Sequence, residues 1–223
     1  MRTLAILPMK SFDAAKRRLA PAFGPASRQA LAQAMFADVL DSLQRVPGLD
    51  SVAVVTADPA AGAAARGERV LVLSDTAQAG QSAAAAIGVS YALAEGFERV
   101  LLVPGDTPLL EPGEVAALLR IRRAVSIVPD RHRTGTNALV LTPPDALAPA
   151  FGPGSLERHV AAAAAAEVAC AVEELPSLML DVDTAADLSS LIATLAERRG
   201  GAPSTRGALR RLERRRRRPA VPA

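Results

Sequence analysis

The segment PMKSFDAAKRRLAP, residues 8–21, sets Lys10, Lys16, Arg17 and Arg18 within nine positions, directly after the apolar run TLAILP. Cations in a loop just past a strand suit a polyanion such as a triphosphate, and arginine can bind one through paired N–H groups. Four basic residues so close together are equally compatible with ordinary surface charge. A second candidate is Asp106 in LLVPGDTPLL, residues 101–110, where an apolar run ends on a proline, a glycine and an acid. A carboxylate held rigidly at a strand end can bind a hard cation such as Mg²⁺, which takes one or two carboxylates together with substrate phosphates. LMLDVD, residues 178–183, supplies two more acids. Read as a strand, it places Asp181 and Asp183 on one face. Each acid also has a structural reading, Asp106 as a turn former and Asp183 or Thr184 as a helix N-cap. Two acidic strand ends and one basic loop together favour a metal–nucleotide site.

Strand-like and helical segments must position these groups, and they alternate along the chain. Apolar runs at 3–8, 51–56, 69–73, 99–104, 124–129, 137–142 and around VACAVEE and LMLDVD read as strands. Between them lie a helix opening at Pro25 or Ser27, with Leu31, Met35, Val39, Leu43 and Val46 on one face, and helices at 81–95, 111–123, from Ser155, and 185–198. Strands alternating with helices imply βαβ units with right-handed crossovers. The fold class is therefore α/β: a single domain whose mainly parallel sheet is covered by helices on both faces. Open sheets of this kind bind ligands beyond the carboxyl ends of their strands, which selects the loops at 8–20, 56–60, 104–110 and 181–184. Neither GxGxxG nor GxxxxGK[ST] occurs after the first strand, so no dinucleotide fingerprint or P-loop is expected.

Composition sets the remaining limits. The net charge of +3 conceals an asymmetry, because residues 198–223 carry ten arginines against Glu213 and leave the rest with six more acids than bases. The domain is accordingly expected over 1–198, with 199–223 a disordered Arg-rich tail of little apolar content. Through that tail alone, weak nucleic-acid binding is conceivable by phosphate neutralisation. No apolar run reaches the ~18–20 residues that span a bilayer, and the start of the chain does not read as a signal peptide. Cys170, the single cysteine, lies in an apolar segment and suits packing. A cytoplasmic protein without a membrane partner is the expectation.

PMKSFDAAKRRLAP, VPGDTPLL, GTNAL, FGPGS followed by His159, and DVDTAADL occur in that order. Over residues 1–198 this series resembles the 2-phospho-L-lactate and phosphoenolpyruvate guanylyltransferases of coenzyme F-420 biosynthesis. PGDTPLL alone is shared by many sugar-nucleotide and molybdopterin nucleotidyltransferases, and FGPGS after GTNAL narrows the choice. The resemblance implies a Rossmann-like nucleotidyltransferase fold, two Mg²⁺ ions, GTP as donor and a small phosphorylated carboxylic acid as acceptor. It implies metal binding by Asp106 and by Asp183 or Asp181, and a triphosphate faced by Lys10, Lys16 and Arg18. Pro8, Gly80, Ser82 and Pro104 fall at the nucleotide, and Thr136, Gly152 and Ser155 at the acceptor, with Thr134 two residues from Thr136. Arg17 stands where a small hydroxyl residue is usual, and Ser82 where an Asn is usual. His132 and His159 read as structural or solvent-facing. A homodimer is compatible with this reading. The alternatives are another nucleotidyltransferase, a nucleotide-sugar-dependent transferase, and a non-enzymatic nucleotide- or RNA-binding protein.

Overall fold

The computed structural model describes residues 1–12 and 16–217. β1 (Thr3–Pro8) leads through a one-turn 3₁₀ helix, Arg17–Leu19, into α1 (Pro25–Gln44). There follow β2 (Ser51–Thr56), α2 (Pro59–Ala64), β3 (Val70–Ser74), α3 (Gln81–Ala94), β4 (Arg99–Leu102) and α4 (Pro112–Arg120). The chain continues with β5 (Val125–Pro129), β6 (Thr136–Leu141), α5 (Ser155–Ala165), β7 (Cys170–Val172), α6 (Ala185–Glu197) and α7 (Pro203–Arg217). The strands form one sheet in the order β3-β2-β1-β4-β6-β5-β7. All pairings are parallel except those of β6, which runs antiparallel to both β4 and β5.

β6 reverses because only residues 130–135 separate it from β5, too few for a crossover. Asp130 organises that turn by accepting hydrogen bonds from the backbone N–H groups of Thr134 and Gly135, both at 2.9 Å. A Cβ on Gly135 would come within 2.7 Å of the Asp130 carboxylate, so the glycine permits the wrap. The reversal has a functional consequence: Thr136, the first residue of β6, lies at the edge where β1, β2, β3 and β4 have their carboxyl ends.

Side chains alternate across the central strand. Ala5 and Leu7 pack with α1 and α4 residues such as Phe36 and Val115, while Leu4 and Ile6 pack with Ala84, Ala85 and Val89 of α3. Helix α3 approaches β1 closely at Gly88, where a Cβ would meet Ile6 Cγ2 at 2.4 Å. Among the described residues no helix is long and apolar enough to cross a membrane.

Two sequence expectations need correction. LMLDVD is not a strand: residues 178–183 run as irregular chain beside the β4 edge, with the Val182 N–H donating to the Asp106 carbonyl at 3.2 Å. Asp181 and Asp183 therefore do not share a strand face. The second concerns the tail, of which 203–217 form α7; 218–223 lie outside the described residues. Ala202, Thr205, Ala208, Leu209 and Leu212 are buried at helical spacing, and Ala202, Ala208 and Leu209 join a third core cluster with Leu31 and Met35 of α1 and Leu191 of α6. The buried Asp38 of α1 accepts from the backbone N–H groups of Ser204 (3.0 Å) and Thr205 (2.7 Å), which satisfies orphan donors of the α7 N-terminus and places a negative charge at its positive end. The narrow apolar stripe was hidden by the surrounding arginines.

Truncation after Gly201 should therefore lower the melting temperature clearly, because it uncovers Leu31 and Met35. Asp38→Ala should cost ~1–2 kcal/mol, measured by urea denaturation.

Candidate active site

A cleft of about 760 Å³ opens along the carboxyl edge of β3, β2, β1 and β4. Pro8 contributes from the end of β1, Met9 and Lys10 from the loop after it, Asp58 from that after β2, and Asp75 and Gln78 from that after β3. Gly80, at the start of α3, and Pro104, Gly105 and Asp106, after β4, complete it together with Lys16 and Asp183. Phe12 anchors the loop after β1. Phe12 is buried edge-on against Phe36 of α1, with ring centroids 5.7 Å apart. The Phe12 N–H donates to Asp58 at 2.8 Å, and the other Asp58 oxygen accepts from Ala60 at 2.8 Å. Burial pushes the Asp58 carboxyl up, but the N–H groups of Phe12 and Ala60 outweigh it and hold the group below its ordinary value.

Lys16 sits at the centre. Its Nζ donates to Asp106 Oδ2 and, at 2.9 Å, to Asp183 Oδ1. The side chain is 7% exposed. Burial works to lower its pKa, yet the two carboxylates prevail and push it up to about 12. Lys16 adopts a left-handed backbone, φ 56° and ψ 39°, which an L-residue takes at a cost of ~1 kcal/mol. The other Asp106 oxygen, Oδ1, is buried without a hydrogen-bond partner. Gly105 lets the loops close around this group, since a Cβ there would lie 3.1 Å from Met9 Sδ.

Asp183 is positioned by α6. Thr184 caps that helix, and Asp187 reciprocates by accepting from the N–H groups of Thr184 (2.7 Å) and Asp183 (3.1 Å). Arg131, from the β5–β6 turn, pairs with the Asp187 carboxylate at 2.5 Å. Asp181 is placed differently: its carboxylate accepts from Asn137 at 3.1 Å, away from Lys16. Burial and the nearby Asp106 charge push its pKa up to about 6.

Thr136, Gly152 and Ser155 gather at the β6 end of the same edge. Thr136 and Ser155 are buried, and the Leu156 N–H donates to the Thr134 carbonyl at 3.3 Å, joining the two segments. Thr134 itself turns away, its hydroxyl donating to Asp130 at 3.2 Å. Ser155 begins α5 after Gly152 (φ 110°) and Gly154 (φ 72°), whose left-handed backbones make the sharp entry. The Ser82 hydroxyl, in the first turn of α3, accepts from the Phe151 N–H at 2.9 Å and so ties α3 to this loop.

Of the residues singled out by sequence, Pro8, Lys10, Lys16, Gly80, Pro104, Asp106 and Asp183 line the cleft. Arg18 lies exposed on the 3₁₀ helix, outside the cleft wall. Ser82, Thr136, Gly152, Ser155 and Asp181 stand beside the cleft rather than in its wall. Sequence reasoning missed Asp58, Asp75 and Asn137. Asp75 was findable, because it directly follows the third strand at the ligand-binding edge.

A sheet of this order, with cations after β1 and a carboxylate after β4, defines an α/β nucleotidyltransferase fold. The chain superposes with TM-score 0.77 and 18% identity on a Desulfovibrio desulfuricans G20 protein assigned to the nucleotide-diphospho-sugar transferases, covering 96% of this chain and 98% of that one. More specifically, the chain belongs to the guanylyl transferase CofC like family, whose model matches residues 3–212. It is 50% identical over 216 residues to the phosphoenolpyruvate guanylyltransferase of Conexibacter woesei, 95% of this chain and 97% of that protein. It is 33% identical over 193 residues to the 2-phospho-L-lactate guanylyltransferase of Methanothermobacter thermautotrophicus, 86% and 85% of the respective chains. It is therefore a GTP-dependent nucleotidyltransferase, and the non-enzymatic alternative falls away.

His159 is fully buried, and burial, reinforced by the Arg158 charge, lowers its pKa to about 4. An unfolded-chain histidine takes its proton near pH ~6.5, so between those values the unfolded state binds more protons. The His159 contribution to stability should therefore decline as pH falls from ~6.5 towards 4. An NMR titration should find the His159 ring still mainly neutral at pH ~5, and a midpoint near ~6.5 would contradict the environment described.

Proposed function

We propose that this chain transfers GMP from GTP to the phosphate of phosphoenolpyruvate and releases pyrophosphate, a step in coenzyme F-420 biosynthesis. An ionised phosphate oxygen of the acceptor attacks the α-phosphorus. The new P–O bond forms as the bond to the β-phosphate breaks, and its electron pair leaves with pyrophosphate. The nucleophile is already an anion, so no general base is needed. The work of the protein is to bring two polyanions together and to meet charge where it develops.

The observation that carries this reading is the Lys16 ammonium shared by Asp106 and Asp183 at the strand edge. Two carboxylates able to share one cation, one of them with a buried unpartnered oxygen, fit a divalent metal ion. Asp106 and Asp183 would hold it, and we take it to be Mg²⁺, with a second ion at the triphosphate. When bound, it supplies neutralisation of the phosphates and stabilisation of the developing charge. Lys10 and Lys16 would face the triphosphate. The base would extend past Pro8 and Gly80 towards Asp75, three strands from Asp106, or ~14 Å at ~4.8 Å per strand. Thr136, Gly152 and Ser155 would hold the acceptor, where the α5 N-terminus favours an anion. The similarity to the Conexibacter protein supports phosphoenolpyruvate over 2-phospholactate.

Pyrophosphate release measured with GTP and phosphoenolpyruvate tests the reaction; release only with a sugar phosphate would refute it. Asp106→Asn keeps the shape and removes the charge. It should lower turnover on the order of 10²-fold or more with an unchanged circular dichroism spectrum, and near-normal activity at low Mg²⁺ would refute the metal assignment.

A further inference from the structure

His159 lies one turn into α5, fully buried, and three contacts fix its ring. Nδ1 is 2.9 Å from Thr136 Oγ1, Nε2 is 2.9 Å from the Ala150 backbone nitrogen, and the ring stands edge-on to Phe151 at 5.4 Å. A backbone N–H can only donate, so Nε2 must present its lone pair. Burial keeps the ring neutral. The one remaining ring proton is therefore on Nδ1, and it is donated to Thr136. The Thr136 oxygen accepts in this bond, so its own hydroxyl hydrogen is directed to some other acceptor.

The same ring helps lock the segment that follows. Besides the Ala150–Nε2 bond, Arg158 donates to the Ala150 carbonyl at 2.9 Å, and Phe151 is held by Ser82. The loop leading to Gly152 and Ser155 is thus fixed on the ring that orients Thr136.

We propose that His159 is a positioning residue of the acceptor subsite. By donating from Nδ1 to Thr136 and accepting from Ala150, it makes the Thr136 hydroxyl a donor to an anionic oxygen of the acceptor and holds the loop presenting Gly152 and Ser155. The proposal rests on the acceptor reading above, and the test separates the two.

The chain has two histidines, so ¹⁵N-histidine labelling gives a simple spectrum. At pH 7 the His159 ring should be the neutral Nδ1–H tautomer; an Nε2–H tautomer or an imidazolium overturns the proposal. The second measurement is KM for phosphoenolpyruvate and for GTP in Thr136→Val, His159→Gln and the double variant. The Gln amide reaches towards Ala150 and loses the Nδ1 donor. Each single variant should raise KM for phosphoenolpyruvate on the order of tenfold, as for a lost hydrogen bond to a charged group, with KM for GTP unchanged. If His159 acts through Thr136, the double variant should be no worse than Thr136→Val. Additive effects, or an equal rise for GTP, overturn the role. His159→Asn, whose amide can keep the Nδ1 donor, should stay within about threefold of wild type; a loss as large as that of the Gln variant overturns it, and this arm stands even if His159→Gln does not fold. Should Thr136→Val leave KM for phosphoenolpyruvate unchanged, the acceptor reading itself fails and the positioning role with it. A large effect of Thr136→Val beside a silent His159→Gln removes only the role of His159.

Discussion

One ammonium group ties this site together. Lys16 joins carboxylates that lie 90 and 167 residues further along the chain, drawing the loop after β1, the end of β4 and the approach to α6 onto one point. Burying an isolated ammonium is costly, and so is bringing two carboxylates together. Each cost is met by the other group, so the three side chains support one another. That balance also explains the supports around them. Asp58 holds the backbone of Phe12 in the loop after β1, and Asp187 fixes the backbone of Asp183.

The sheet edge arranges the residues proposed to bind ligand in strand order rather than sequence order. Asp75 after β3, Lys10 after β1, Asp106 after β4 and Thr136 at the start of β6 succeed one another along a single edge. The antiparallel β6 matters here, because a parallel strand would bring its carboxyl end to this position instead of Thr136. The hydrogen bond between Ser82 and Phe151 spans the two halves from the opposite layer, linking α3 to the loop before α5.

Much of this was legible in the residues themselves. The β-branched runs of β2 and β5 and the apolar face of α1 identify their elements because each buries a regular pattern. Lys16 and Asp106 could be singled out because a basic loop after the first strand and an acid just past another strand together suit a metal–nucleotide site, although each alone has a structural reading. What escaped depends on long-range pairing. LMLDVD has the alternation of a strand, but it meets Asp106 through a single backbone bond and never joins a ladder. Asn137 reads as one polar residue in a strand until its amide is seen bonded to Leu178 and Asp181. His159 looks like an unremarkable helix residue because its partners, Ala150 and Thr136, come from elsewhere. The α7 stripe was obscured by composition: a helix with so many arginines fails an averaged test of hydrophobicity although its buried positions are sound.

The seating of α7 on α1 bears on the order in which the molecule can be assembled. The two helices are among the most distant in the chain, and the Asp38–Thr205 bond closes a loop of 167 residues. A chain emerging from the ribosome must therefore carry α1 with Leu31, Met35 and a carboxylate uncovered on its outer side until nearly all the other elements have been synthesised. The inner face of α1 can meet β1 and β2 early, through contacts close in sequence, whereas the outer face has to wait for distant partners. During that interval the nascent protein displays an apolar strip of the kind that invites misassembly or chaperones, and arrival of the arginine-bearing helix replaces it with a strongly charged exterior.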